Sequence, residues 1–135
     1  MLGLMQNRPL LISGIADYVE QLHSDREIVS RDPDGVVYRT NYGEIVKRAK
    51  RLAGALIGFG SQQGDRVATL AWNSYRHLEI YYGVTCSGLV LHTVNPRLFP
   101  EHSCSTSCTT LKMRMFASTR CLLSSSAPLP RICRW

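Results

Sequence analysis

The run Arg66-Val67-Ala68-Thr69-Leu70-Ala71 does not alternate apolar with polar residues. A strand with one wet face alternates, whereas a nearly continuous apolar run marks a strand covered on both faces, as in a parallel sheet. Parallel strands cannot be joined by a tight turn and need a crossover, usually a helix. The sequence supplies one. Asn73 or Ser74 can cap a helix running to about Ser87, with Leu78, Tyr81, Tyr82 and Cys86 as apolar positions and Gly88 as its stop. Leu89-Val90-Leu91-His92-Thr93-Val94 then reads as a second strand, stopped by Asn95-Pro96. Strand, helix and strand within about 30 residues predict a right-handed βαβ unit, and the fold class is α/β.

Upstream, Leu10, Leu11, Ile15, Val19 and Leu22 fall at near-helical spacing, with Asp17, Glu20 and Gln21 on the other side, so a helix over about 10–23 is predicted. Glu27 to Arg31 and Val36 to Thr40 are β-prone runs around Asp32-Pro33-Asp34-Gly35, whose proline and Asp-Gly pair suit a tight turn. That predicts a hairpin. Asn41 and Glu44 have capping-box spacing, and Ile45, Ala49, Leu52, Ala53 and Leu56 form an apolar stripe at helical period. Gly58-Phe59-Gly60 supplies the stop. Lys47, Arg48, Lys50 and Arg51 lie opposite the stripe. A solvated face is the plain reading of that cluster; phosphate or nucleic-acid binding is the alternative, with no aromatic residues interleaved to support it.

Charge divides the 135 residues unevenly. Residues 1–101 carry 11 Lys+Arg against 10 Asp+Glu, whereas residues 102–135 carry five basic residues and no acid. The second segment also holds four of the five cysteines, seven serines and four threonines, without a glycine. Two chemistries meet near Glu101, so the overall charge of +6 is not one property. The length suits one small domain. No apolar run approaches the roughly 18–20 residues of a membrane-spanning helix, and the N-terminus has no cleavage pattern of a signal peptide. The expected location is cytoplasmic.

Several segments follow one another in an order that carries a family resemblance. They are Met1 to Met5, Arg8-Pro9-Leu10-Leu11-Ile12-Ser13, Gly64 to Asn73, Tyr75-Arg76-His77-Leu78-Glu79, and His92-Thr93-Val94-Asn95-Pro96-Arg97-Leu98-Phe99-Pro100-Glu101. Together they resemble the N-terminal region of bacterial AMP-forming acyl-CoA synthetases. Within the adenylate-forming superfamily the branch is that of fatty-acid–CoA and 3-(methylthio)propionyl-CoA ligases. The resemblance covers residues 1–101 and implies the N-terminal part of an AMP-binding ligase domain, a partial subdomain of hairpin, helices and βαβ unit. It implies a full-length enzyme of fatty acid metabolism that uses ATP and Mg²⁺ to turn a fatty acid or other carboxylic acid into an acyl-adenylate, then transfers the acyl group to CoA.

The chemistry of that family needs a phosphate-cradling loop rich in Gly, Ser and Thr, acids for metal and ribose, and a lysine at the acyl phosphate. In the resembling enzymes these lie downstream of the matched stretch, so no catalytic, cofactor-binding or metal residue is assigned here, and no cofactor is expected to bind this fragment. Gly54, Gly58, Gly60 and Gly64 read as helix-end and turn glycines. His77 and His92 lack a carboxylate or cysteine at ligand spacing and read as structural. Trp72-Asn73 stands at the C-terminal end of a strand, where open α/β sheets bind ligands, though a packing tryptophan and a capping asparagine account for the pair.

Residues 102–135 depart from the family pattern, and back-translation of 102–116 in a shifted frame can restore a helix and the start of a strand. The expectation is a frameshift near codons 101–102, a truncated ligase, and an out-of-frame, disordered basic tail rich in Ser, Thr and Cys. A zinc site from His102, Cys104, Cys108, Cys121 and Cys133 lacks paired CxxC units. Neither zinc nor nucleic acid is expected as a partner. The alternative function is a small non-catalytic binding or dimerising module built on the basic helix 41–58. A sheet cut after its early strands is also expected to leave an unpaired edge and to fold poorly.

Overall fold

Helix α2 (Tyr42–Gly58) begins where the capping signal stands. Asn41 has extended backbone, and its side chain accepts the Glu44 N–H at 2.9 Å. The Glu44 carboxylate lies 3.8 Å from Lys47, one turn on. At the other end Gly60 takes φ of +88° while its N–H donates to the Ile57 carbonyl at 2.8 Å, a conformation that a Cβ would strain. The stripe faces inward, with Ile45, Val46, Ala49 and Leu56 buried. The structure is a computed structural model that describes residues 3–4, 7–32, 34–95, 115–118 and 132–134.

The βαβ unit consists of β3 (Arg66–Leu70), α3 (Tyr75–Thr85) and β4 (Val90–Val94). The two strands run parallel, Val67 opposite Leu91 and Leu70 opposite Val94. Three successive residues, Val67, Ala68 and Thr69, are at most 1% exposed, so both faces of β3 are covered as its unbroken apolar run requires. Leu56, Val67, Val84 and Leu89 form the main core, with Leu52, Ile80 and Leu91 packed against it. Each such aliphatic side chain, fully buried, contributes about 1.5–3 kcal/mol. Helices α2 and α3 touch closely at Gly83, where a Cβ would stand 3.0 Å from the Ala49 carbonyl oxygen. Tyr81, expected on the inner face of α3, is 39% exposed, and Val84 takes the fully buried position.

The hairpin is a separate two-stranded sheet of β1 (Glu27–Arg31) and β2 (Val37–Asn41), antiparallel with Ser30 opposite Tyr38. Gly35, at φ +88°, donates its N–H to the Asp32 carbonyl in the turn, and Asp32 N–H donates to Val36. Pro33 lies outside the described residues.

Two expectations are corrected. Helix α1 (Ile12–Leu22) starts later than residue 10, and its large apolar residues do not form the inner face. Leu10, Leu11, Ile15 and Leu22 are exposed, while Ala16 is buried and Glu20 pairs with Lys50 of α2. Nor is the segment after residue 101 wholly without structure. Met115–Ser118 (β5) pairs parallel with β3, and Ile132–Arg134 (β6) pairs antiparallel with β5, giving the order β4-β3-β5-β6. The polar composition of the segment hides the short apolar run Met115-Phe116-Ala117, which can extend beside a strand whose other side is already taken. Because β5 stands there, β3 is not an open edge.

Candidate functional site

The C-terminal end of β3, the start of α3 and the hairpin meet at one open groove of about 410 Å³, lined by Ile28, Ser30, Arg31, Asn73, His77 and Tyr81 among others. Asn73 is exposed on this rim, and Trp72 before it is half-buried. Ser74 holds the N-cap position of α3, yet its side chain makes no capping bond. The cap comes instead from β1: buried Ser30 Oγ accepts the Tyr75 N–H at 3.0 Å. The hydroxyl of Ser30 is fixed in the sheet 45 residues upstream in sequence, so it satisfies an orphan helix amide without local chain entropy.

Around that bond the Tyr38 ring stacks on Tyr75 at 4.0 Å between centroids, 18° from coplanar. Arg76 Nε donates to the Tyr75 hydroxyl at 2.9 Å. Arg48 of α2 donates to Glu79 of α3 at 3.1 Å. Burial pushes the Glu79 carboxyl up, opposed by the Arg48 charge. Thr69 Oγ1 and His77 Nε2 share a hydrogen bond at 3.3 Å, and burial holds the imidazole below its ordinary pKa. A hydroxyl beside a histidine has the form of a nucleophile and base, but Thr69 is 0% exposed and closed to any substrate. His92 stands in β4 opposite Ala68, in no metal cluster.

Gly60, Gly64 and Gly88 have positive φ, but they lie at the entry ends of β3 and β4, with Gly64 N–H donating to Gly88. Ligands of open α/β sheets bind at the opposite, C-terminal ends. Among the described residues no three His, Cys, Asp or Glu side chains converge as a metal site. These residues do not fit ATP or Mg²⁺. A second cavity of about 370 Å³ lies between α1, α2 and α3 and includes Cys86, whose thiol burial pushes up. Of the cysteines and histidine considered for zinc, only Cys133 falls in a described strand; His102, Cys104, Cys108 and Cys121 lie outside the described residues.

The basic residues of α2 are largely paired within the chain, Lys47 with Glu44, Arg48 with Glu79 and Lys50 with Glu20. Of its apolar stripe, Ile45, Ala49 and Leu56 are buried in the chain's own core. No signal near Ser30 or Tyr38 in the sequence marked either as a partner of α3. Among the described residues no helix is long and apolar enough to cross a membrane.

Hairpin, α2 and βαβ unit, joined through side chains that pack and cap, define a mixed α/β scaffold unit. The chain belongs to the AMP-binding enzyme family, which matches residues 17–130. It is 54% identical over 101 residues to a 3-methylmercaptopropionyl-CoA ligase from Ruegeria lacuscaerulensis, a match covering 75% of this chain and 19% of that protein. It is 46% identical over 101 residues to a medium-chain-fatty-acid–CoA ligase from Ectopseudomonas oleovorans, covering 75% of this chain and 18% of the relative. The chain thus spans about a fifth of these relatives' length. In fold it matches the fatty acid AMP ligase from Legionella pneumophila with a TM-score of 0.73 at 14% identity, covering 87% of this chain and 21% of that one. The N-terminal α/β scaffold is that of adenylate-forming enzymes.

Proposed function

We propose that residues 1–101 are the N-terminal scaffold of an ATP-dependent ligase that joins a fatty acid or related carboxylic acid to CoA, and that this chain alone forms no acyl-adenylate. The observation that carries the reading is the 54% identity to a 3-methylmercaptopropionyl-CoA ligase over 101 residues. In the full-length enzyme ATP and Mg²⁺ would activate the acid and CoA would accept the acyl group. In this reading the described residues serve as scaffold. Their part is to hold α3 against the hairpin and to bury the first strands of the sheet. We read residues 102–135 as an out-of-frame continuation on the change of composition after Glu101, with the family match itself running on to residue 130. No zinc or nucleic-acid role is assigned to them, and the location proposed is the cytoplasm.

The test uses the purified full chain with ATP, Mg²⁺, CoA and either 3-(methylthio)propionate or a medium-chain fatty acid. AMP and thioester at the level of a protein-free blank support the reading. Turnover that scales with protein concentration overturns it. The coding DNA supplies a separate check: a phosphate-loop and catalytic-lysine coding region downstream in a shifted frame supports the frameshift. An uninterrupted frame whose codons cannot give the ligase continuation removes it.

A further inference from the structure

We propose that β5 is a surrogate strand, which closes the side of β3 left open by β4 and prevents that side from pairing with a second copy of the chain. The register runs from Val67 opposite Met115 to Leu70 opposite Ser118, four residues against the five that β3 shares with β4. Val67, Ala68 and Thr69 are almost inaccessible to water with β5 in place, so removal of β5 would uncover a row of unpaired backbone N–H and C=O groups on that side of β3. Parallel pairing asks only for an extended segment of apolar character, not for a specific side-chain code. Met115-Phe116-Ala117 meets that demand within an otherwise Ser/Thr-rich segment. Beyond it, β6 moves the sheet's outer edge onto three residues ending at Arg134. Short edge strands are poor templates for another chain.

The inference does not depend on the ligase reading, because it concerns pairing and not chemistry. Hydrogen exchange by mass spectrometry on the full chain tests it first. Amides of 115–118 should exchange at least about a hundredfold more slowly than in a free peptide of the same sequence, together with those of 66–70. Exchange at the free-peptide rate in 115–118 overturns the proposal, whatever happens elsewhere. Proline replacements follow. Successive amides of a strand point to opposite sides, so of Phe116→Pro and Ala117→Pro one removes a donor toward β3 and the other a donor toward β6. At least one should speed exchange at 66–70 and raise the light-scattering mass to a dimer or more, while Ser105→Pro changes neither. If both strand prolines leave exchange and mass as in the parent, β5 does not guard β3.

Discussion

Ser30 Oγ accepts the backbone N–H of Tyr75 at 3.0 Å, so a strand of the hairpin caps the crossover helix of the βαβ unit. Both residues are buried, Ser30 at 7% and Tyr75 at 7% exposure. Replacing Ser30 by alanine strands a helix amide out of reach of water. The expected loss is about 1–2 kcal/mol. Ser74→Ala, at the formal cap position, should stay within about 0.5 kcal/mol, because its side chain makes no capping bond. Urea titrations of the two variants decide between a tertiary and a local cap, and equal losses would count against the tertiary one.

Two glycines in neighbouring helices should respond to alanine with opposite signs. At Gly83 a Cβ would meet the Ala49 carbonyl oxygen and Leu52 Cδ2, each at 3.0 Å. One of these is backbone and cannot rotate away, so Gly83→Ala is expected to destabilise by about 1–3 kcal/mol. At Gly54, inside α2, a Cβ would meet nothing within 4 Å. Gly54→Ala gains helix propensity and should stabilise by about 0.5–1 kcal/mol. Thermal melts of both variants check the pair, and a Tm rise for Gly83→Ala would show that α2 and α3 are less tightly apposed.

The stack of Tyr38 on Tyr75 joins β2 to α3. A double-mutant cycle with leucine at each position should return a coupling of about 0.5–1.5 kcal/mol beyond the separate effects. A coupling near zero would mean that the rings are merely adjacent.

Burial holds His77 below its ordinary pKa of 6.5, beside Thr69. Between the folded and unfolded values the unfolded chain binds more protons, so stability is present above the ordinary value and is lost as pH falls through it. Glu79 acts with the opposite sign: its folded pKa is raised above the ordinary carboxylate value, first by burial, so its contribution is lost as pH rises from that ordinary value through the folded one. The Tm should therefore decline between about pH 7.5 and 5.5, and His77→Asn should flatten that decline. An equal slope in the variant would assign the effect to other groups.

Much of the scaffold was legible because its signals are local. Asn41 and Glu44 sit three residues apart, and the bond they predict is formed. The apolar run at Arg66–Leu70 announced a strand buried on both faces, and the glycines after α2 and α3 take the positive φ that helix ends favour. Helix α1 misled for a stated reason. Periodicity ranks positions by hydrophobicity, yet the position that is buried is the small Ala16, with Ile15 and Leu22 exposed. The groove at Asn73 stands after β3, at the strand end where open α/β sheets bind ligands, and its lining by Ser30 and Ile28 of β1 could not be read from that position.

Sequence alone determined the order of strands and helices as far as β4, the cap of α2, and the family to which the chain belongs, because each depends on residues near one another or on an ordered series of motifs. Only the tertiary structure decided that Ser30 caps α3, that Gly83 is the closest approach of two helices, and that Met115–Ser118 lies beside β3. Those relationships join residues dozens of positions apart. They arise from the need of buried backbone groups for partners and of close-packed surfaces for fit, and no local pattern encodes which distant residue will answer.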